Sequence, residues 1–274
     1  MIDILLATYN GEKYLSAQLD SILKQTYQDF KILIHDDGST DNTIKIIKKY
    51  ALEHSDKLVV FDDNIRKGGA CQNFSYLLQK ASSPYIMFCD QDDIWLENRV
   101  QMFLSSMKDT EKKYGKDIPL IVFSDLIVVD EKLNIISESM VESQKLNPKI
   151  ASFFKLLKCQ NVITGCAMMI NKKALEISIP IPQQALMHDW WIALNVAKYG
   201  KNIFLEDTTI LYRQHSTNLV GYQKPSFIRF LKILFSKKIF NDYIKIKNML
   251  NEKMSFYSFC ICKIKVIFLR IYKK

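Results

Sequence analysis

The sequence predicts an α/β fold, a mostly parallel sheet flanked by helices, with a basic amphipathic helical extension at its C-terminal end. Three observations predict it. Short apolar runs alternate with segments of helical periodicity through the first half of the chain, the βαβ pattern of a parallel sheet. Polar and acidic clusters follow the apolar runs directly, where the ligand-binding loops of an open α/β sheet lie. The charge is also divided: residues 224–274 hold 13 basic and 2 acidic side chains, net +11, whereas 1–223 hold 25 and 27, net −2.

The elements follow in order. Residues 3–7 form a first apolar strand, and 12–25 carry Tyr14, Leu15, Leu19, Ile22 and Leu23 at helical spacing. A second strand spans 30–35, and Ser39 or Thr40 is placed to cap a helix running to about residue 54. A third strand covers 58–61; the loop 62–69 then holds the Gly68-Gly69 pair. A helix at 70–81 precedes a fourth strand at 85–89, opened by Pro84. Next come a long helix at 96–114, a buried strand at 119–129, a helix at 149–157 and a strand at 166–171. A helix at 189–199 and short strands at 202–205 and 208–213 complete the body. From Pro225 on, Phe227, Phe230, Leu231, Leu234 and Phe235 alternate with Arg229, Lys232, Lys237 and Lys238 at helical spacing, followed by Ile239, Phe240, Phe256, Phe259, Ile264, Val266, Ile267, Phe268 and Leu269. This divides the chain into a body, 1–223, and a basic tail, 224–274.

Composition narrows the function classes. The 274 residues are 48% apolar and 24% charged, with 8 Gly and 6 Pro, an ordinary globular profile that excludes collagen-like and fully disordered chains. No stretch of about 18 apolar residues suggests a spanning helix. Met1-Ile2-Asp3-Ile4-Leu5-Leu6 lacks the charged start of a secretory leader, so a cytoplasmic location is expected. Cys71, Cys89, Cys159, Cys166, Cys260 and Cys262 include no Cys-x-x-Cys pair and read as reduced thiols. A near-neutral body argues against nucleic acid as a partner. A basic, apolar-laced tail suits an anionic membrane surface; packing on the body and a homodimer interface are its other uses.

The chemistry concentrates in three loops at one sheet edge. Thr8-Tyr9-Asn10-Gly11 follows the first strand, Asp36-Asp37-Gly38-Ser39-Thr40-Asp41 the second, and Asp90-Gln91-Asp92-Asp93 the fourth. Asp90 and Asp92, two residues apart on a turn, can aim hard oxygens at one divalent cation. The same residue types also suit plain turns and helix caps. Asp189, before Trp190-Trp191, reads either as a helix cap or as a base desolvated by aromatic neighbours. Arg213 and His215, spaced i, i+2 on a strand, share a face.

These motifs, with Gln25-Thr26-Tyr27-Gln28-Asp29-Phe30, Asp90-Gln91-Asp92-Asp93-Ile94-Trp95, Met187-His188-Asp189-Trp190-Trp191 and Leu211-Tyr212-Arg213-Gln214-His215, resemble the family 2 glycosyltransferases over about 1–220. Their Asp-Gln-Asp-Asp-Ile-Trp and His-Asp-Trp-Trp forms are most similar to rhamnosyltransferase-like members that build bacterial surface polysaccharides. The resemblance implies a GT-A fold and a metal-dependent inverting transfer from a nucleotide-diphosphate sugar, dTDP-rhamnose or a UDP-hexose. The acceptor it implies is a hydroxyl of a lipid-linked glycan, polyprenyl-diphosphate-linked or another glycan; the basic tail adds the expectation of a peripheral place on the inner face of the cell membrane. It implies Thr8, Tyr9, Asn10, Asp36, Asp37, Asp90 and Arg213 on the donor and Asp92 with His215 on Mg²⁺ or Mn²⁺. Asp189 would be the base, and Trp190 and Trp191 would meet the acceptor. His188 departs from the pattern, standing where many members place Glu. A metal-dependent sugar nucleotidyltransferase is the alternative; Thr8-Tyr9-Asn10-Gly11-Glu12-Lys13 is a poor version of the basic glycine loop it needs.

Overall fold

The computed structural model of the chain describes residues 1–63, 65–216 and 237–271. Its centre is a nine-stranded sheet in the order β3-β2-β1-β4-β8-β6-β9-β5, with β7 paired to β6. The strands are β1 Ile2–Thr8, β2 Phe30–Asp36, β3 Leu58–Val60, β4 Tyr85–Cys89, β5 Ile94–Trp95, β6 Leu120–Val129, β7 Ile135–Ser137, β8 Met168–Asn171 and β9 Lys201–Arg213. β1, β2, β3, β4, β6 and β9 run one way, and β5, β7 and β8 run the other. The helices are α1 Leu15–Leu23, α2 Thr43–Glu53, α3 Ala70–Lys80, α4 Arg99–Tyr114, α5 Met140–Ser143, α6 Phe154–Leu157, α7 Lys172–Ser178, α8 His188–Tyr199, α9 Lys237–Leu250 and α10 Phe256–Ile271.

Strand alternation sorts the core into two layers. Ile4, Leu6, Ile32 and Ile34 bury against α1, α2 and α4 through Leu15, Leu19, Ile22, Ile47, Phe103 and Met107. Leu5, Leu33, Ile86 and Phe88 face the other way, onto Phe74, Leu77 and Leu78 of α3 and Ile192, Leu194 and Val196 of α8. The alternation of apolar runs and helical periodicity therefore gives the expected α/β architecture.

Several boundaries differ from the sequence expectation for identifiable reasons. The helix expected from Ser39 or Thr40 begins at Thr43, with Asn42 at the cap. The Ser39 hydroxyl is instead taken by Asp36 at 2.6 Å and by the Asn10 N–H at 2.8 Å. The helix expected at 149–157 is a 3₁₀ turn, Pro148–Ser152, and then α6, because Phe153 between them is extended. The two strands expected within 202–213 are one strand, β9, whose pairing with β6 shifts register around Asp125. The short elements β5, β7, α5 and α7 carry too few residues for periodicity to reveal them.

Residues 217–236, with the boundary at 223 and with Phe227, Arg229, Phe230, Leu231, Lys232, Leu234 and Phe235, lie outside the described residues. Beyond them, α9 and α10 bury Ile239, Tyr243, Ile246, Met249, Phe259 and Val266 in the same core layer as α3 and α8. Glu252, between the two helices, pairs with Lys158 at 3.1 Å. Phe240, Tyr257, Ile261 and Ile264 remain exposed.

Shared burial makes a direct prediction. Ile246→Ala, at a fully buried position, should cost about 3 kcal/mol in a single cooperative unfolding transition. A separate early transition, with the main one unmoved, would mean that the tail helices melt independently of the sheet.

Candidate active site

The site sits where strand order reverses. β2 and β4 flank β1, so the loops leaving their carboxyl ends open a crevice between them. Thr8 and Asp36 are register partners there, and the Thr8 hydroxyl donates to Asp36 Oδ1 at 2.8 Å. Asp36 Oδ2 accepts from the N–H groups of Gly38 at 3.0 Å and Ser39 at 2.7 Å. Asp36 was expected on the donor, but its oxygens are committed to holding this turn, and it does not line the cleft. Asn10 does line it; its side-chain oxygen accepts from the Thr40 N–H at 2.8 Å, joining the first loop to the second.

Gln91 fixes Tyr9. Its amide oxygen accepts from the Tyr9 N–H and its amide nitrogen donates to the Tyr9 carbonyl, both at 2.9 Å. Gly11 leaves the room for this: a Cβ there would lie 2.3 Å from Gln91 Oε1. The Tyr9 ring is 45% exposed in the cleft wall, with the Arg66 guanidinium 5.1 Å above its centroid.

Asp37 is buried and accepts from three successive backbone amides: Lys67, Gly68 at 3.2 Å and Gly69 at 2.7 Å. Gly68 and Gly69 have φ of +92° and +107°, a region glycine enters without cost, which lets the amides converge on one carboxylate. Arg66, Gly68, Gly69 and Asn73 thereby join the cleft wall. They were not anticipated as site residues; the Gly68-Gly69 pair marks the loop but not its place in the cleft.

The loop after β4 gathers the acids. Asp92 Oδ2 lies 2.7 Å from His215 Nε2, so the expected metal pair meets in the cleft wall. Arg213 does not join it. It is 5% exposed and absent from the wall, and its guanidinium donates to the carbonyls of Asp92 and Glu131, each at 2.7 Å. Asp93 is fully buried and accepts from the Arg213 N–H at 3.0 Å through Oδ1. Asp90, Asp93 and Cys166 bring ligand-type atoms within 4.8 Å of one another. Burial, then the charges of Asp92 and Asp189, push the Asp90 carboxyl up to about 7. Carboxylates that repel each other beside an imidazole form a donor set that suits a divalent cation.

Asp189 completes the wall. The helix cap is Met187, so Asp189 lies inside the first turn of α8 rather than capping it. Its carboxylate accepts from the N–H groups of Gly165 at 3.0 Å and Trp190 at 2.5 Å. Burial pushes its pKa up to about 7, and those two amides oppose the rise. His188 is 2% exposed between the rings of Phe74 and Phe88, at 4.1 and 5.3 Å, and burial lowers its pKa to about 3, leaving it neutral. The two tryptophans separate, as consecutive helical residues point about 100° apart. Trp190 lines the cleft and donates to the Leu157 carbonyl at 2.8 Å; Trp191 lies off that wall, bound to the Ser178 carbonyl at 2.8 Å.

Together these groups line a cleft of about 960 Å³. Its remaining wall, from Met140, Gln144, Leu146 and the segment 160–164, has no counterpart in the sequence expectation.

Residues 3–177 match the family model for glycosyl transferase family 2. The chain belongs to that family. It is 28% identical over 228 residues to the dTDP-rhamnosyl transferase RfbG of Shigella flexneri, covering 79% of this chain and 73% of that protein. It is 29% identical over 202 residues to an Escherichia coli protein, UDP-Glc:alpha-D-GlcNAc-diphosphoundecaprenol beta-1,3-glucosyltransferase WfgD, covering 72% and 70%. Among solved structures, TarS 1–349 of S. aureus in complex with UDP-GlcNAc shares the fold with a TM-score of 0.62 at 18% identity, covering 99% of this chain and 72% of that one. The mannosyltransferase PcManGT of Pyrobaculum calidifontis, in complex with GDP-Man and Mn²⁺, gives 0.58 at 13%, covering 100% and 87%. The fold is GT-A, and family membership sets the nucleotidyltransferase alternative aside.

Gly11→Ala tests the Gln91 clasp. The added methyl should evict the Gln91 amide, free the Tyr9 loop and weaken nucleoside-diphosphate binding about tenfold, near 1.4 kcal/mol, measured by calorimetry. Wild-type affinity in a folded Gly11→Ala protein would show that the clasp does not set the Tyr9 geometry.

Proposed function

We propose that this glycosyltransferase transfers a hexosyl group, with inversion, from dTDP-rhamnose or a UDP-hexose to a hydroxyl of a lipid-linked glycan. The observation that carries this reading is the buried carboxylate of Asp189, in the wall of the cleft that also holds Asp90, Asp92 and His215. Support for the donor class comes from the names of the relatives, one a dTDP-rhamnosyl and one a UDP-Glc transferase. The acceptor class follows the diphosphoundecaprenol substrate in the second name.

Tyr9 offers its ring to the nucleobase, with Arg66 across it, and Thr8 and Asn10 frame the loop. Asp37 keeps an acceptor position on Oδ2, which takes a single amide, for the base N–H. Asp92 and His215, with Asp90 beside them, would hold Mg²⁺ or Mn²⁺. A cation held there would supply Lewis-acid neutralisation of the departing diphosphate. Asp189 takes the proton of the attacking hydroxyl; desolvation makes it a stronger base than an ordinary carboxylate. Trp190 gives the acceptor sugar an apolar face. One carboxylate acting from one side leads to a single displacement and an inverted product.

The test is transfer from dTDP-rhamnose and UDP-glucose to a short-chain-lipid diphosphate N-acetylglucosamine. EDTA should stop it and Mn²⁺ restore it. Asp189→Asn should lower kcat about a thousandfold and leave donor affinity near wild type. The base acts ionised, so kcat should fall as pH drops through about 7, following the raised Asp189 carboxyl. A retained anomeric configuration, or a rate flat from pH 5 to pH 8, would exclude Asp189 as the base.

We further propose that the enzyme works at the inner face of the cell membrane. Tyr257, Ile261 and Ile264, spaced i, i+4, i+7, form an exposed apolar face on α10 within the +11 tail. No described helix is long and apolar enough to cross a membrane. Each basic residue near an anionic leaflet contributes on the order of 1 kcal/mol. Because α9 and α10 belong to the core, the test uses point changes. Full-length protein should co-sediment with phosphatidylglycerol vesicles at low salt, and Ile261→Ser with Ile264→Ser should release it with nucleotide binding intact. No sedimentation of the wild type at low salt would end the membrane reading.

A further inference from the structure

Arg270, near the end of α10, reaches two loops of the cleft wall from more than a hundred residues away in the chain. Its guanidinium donates from Nε to the Lys145 carbonyl at 3.2 Å, from Nη1 to Gln160 Oε1 at 3.3 Å, and from Nη2 to the Gln144 carbonyl. Gln144 and Gln160 both line the cleft, one just after α5 and the other just after α6. Between the two carbonyls Arg270 holds, Lys145 has φ of +51°, the left-handed region that disfavours L side chains. Such a conformation persists where its surroundings over-determine it, and a planar fork of N–H donors can grip several acceptors at once.

The wall that Arg270 braces differs in character from the rest of the cleft. Its lining residues between 140 and 164 include Met140, Leu146, Asn161 and Thr164 beside the two glutamines, and none of them is charged. Amides, a hydroxyl and apolar side chains suit the hydroxyls and faces of a neutral sugar; a diphosphate calls for charge.

We infer that Arg270 is a positioning residue that latches the Gln144 and Gln160 loops together and so shapes the wall receiving the acceptor sugar. The inference rests on the acceptor reading proposed above. It makes the C-terminal helix part of acceptor recognition.

The test compares full-length wild type, Arg270→Gln, Arg270→Lys, Gln160→Leu and the Arg270→Gln/Gln160→Leu double variant. The acceptor probe is the short-chain-lipid diphosphate N-acetylglucosamine; donor affinity is read by calorimetry with TDP and UDP. Each single variant should raise acceptor KM about tenfold with donor Kd within about twofold, and the double should be no worse than the worse single. Arg270→Lys, which keeps the charge without the fork, should behave like Arg270→Gln. Amide hydrogen exchange over 140–146 and 160–164 should quicken in Arg270→Gln. Unchanged exchange, additive effects, full rescue by lysine, or acceptor KM within about twofold of wild type would each overturn the latch. If Arg270→Gln does not fold, Gln160→Leu leaves α10 intact, and a wild-type acceptor KM there overturns it equally. If exchange quickens but the loss falls on donor affinity, the latch stands and the acceptor assignment of this wall falls.

Discussion

Carboxylates crowded at one edge of one sheet are the constraint around which this chain is arranged. Asp36, Asp37, Asp90, Asp92, Asp93 and Asp189 all follow strand ends or open a helix beside the crevice. A carboxylate removed from water must be given donors or give up its charge. Both solutions are present. Asp36 and Asp37 receive backbone amides, and Asp92 receives an imidazole. Asp90, by burial and then the charges of Asp92 and Asp189, and Asp189, by burial that outweighs its two amides, are pushed up toward neutrality.

This constraint explains much of the local backbone. Three amides converge on Asp37 because glycines at 68 and 69 can take the required conformation, and that loop then starts α3. Gln91 spends its whole side chain on the Tyr9 backbone, which an alanine at position 11 would forbid. In each case a polar group that looks available in the sequence is used to hold another in place. The Thr8 hydroxyl and both Asp36 oxygens are the plainest example: the pair is at the site but serves its frame.

What was legible in the sequence follows from range. β1 to β4 and their helices are set by contiguous periodic segments, so the parallel half of the fold and its three loaded loops could be read directly. Asp92, His215, Asp189, Trp190 and Tyr9, which the motifs single out, lie in the cleft wall. Arg213 and Trp191 do not. Spacing along a strand or helix gives a face but not which carbonyl a long side chain will find, and both donate to backbone oxygens. Arg66, Gln144 and Gln160 were not legible as site residues. They lie on irregular segments, where no periodicity announces which way a side chain points.

The tail shows the same limit in a form that matters more. Charge and helical spacing identify a basic amphipathic segment, but the pattern does not distinguish an apolar face that meets lipid from one that meets protein. In α10 both are present: Phe259 and Val266 turn into the core, whereas Tyr257, Ile261 and Ile264 turn out. The helix can therefore be anchored to the body and still present an apolar face to a surface. Arg270 extends the same logic to the cleft, since its acceptors are carbonyls and an amide on loops more than a hundred residues earlier in the chain. Bonds of that span cannot be inferred from composition. They tie the last described helix to the body, so that one helix carries an exposed apolar face and a side chain that grips two loops of the cleft wall.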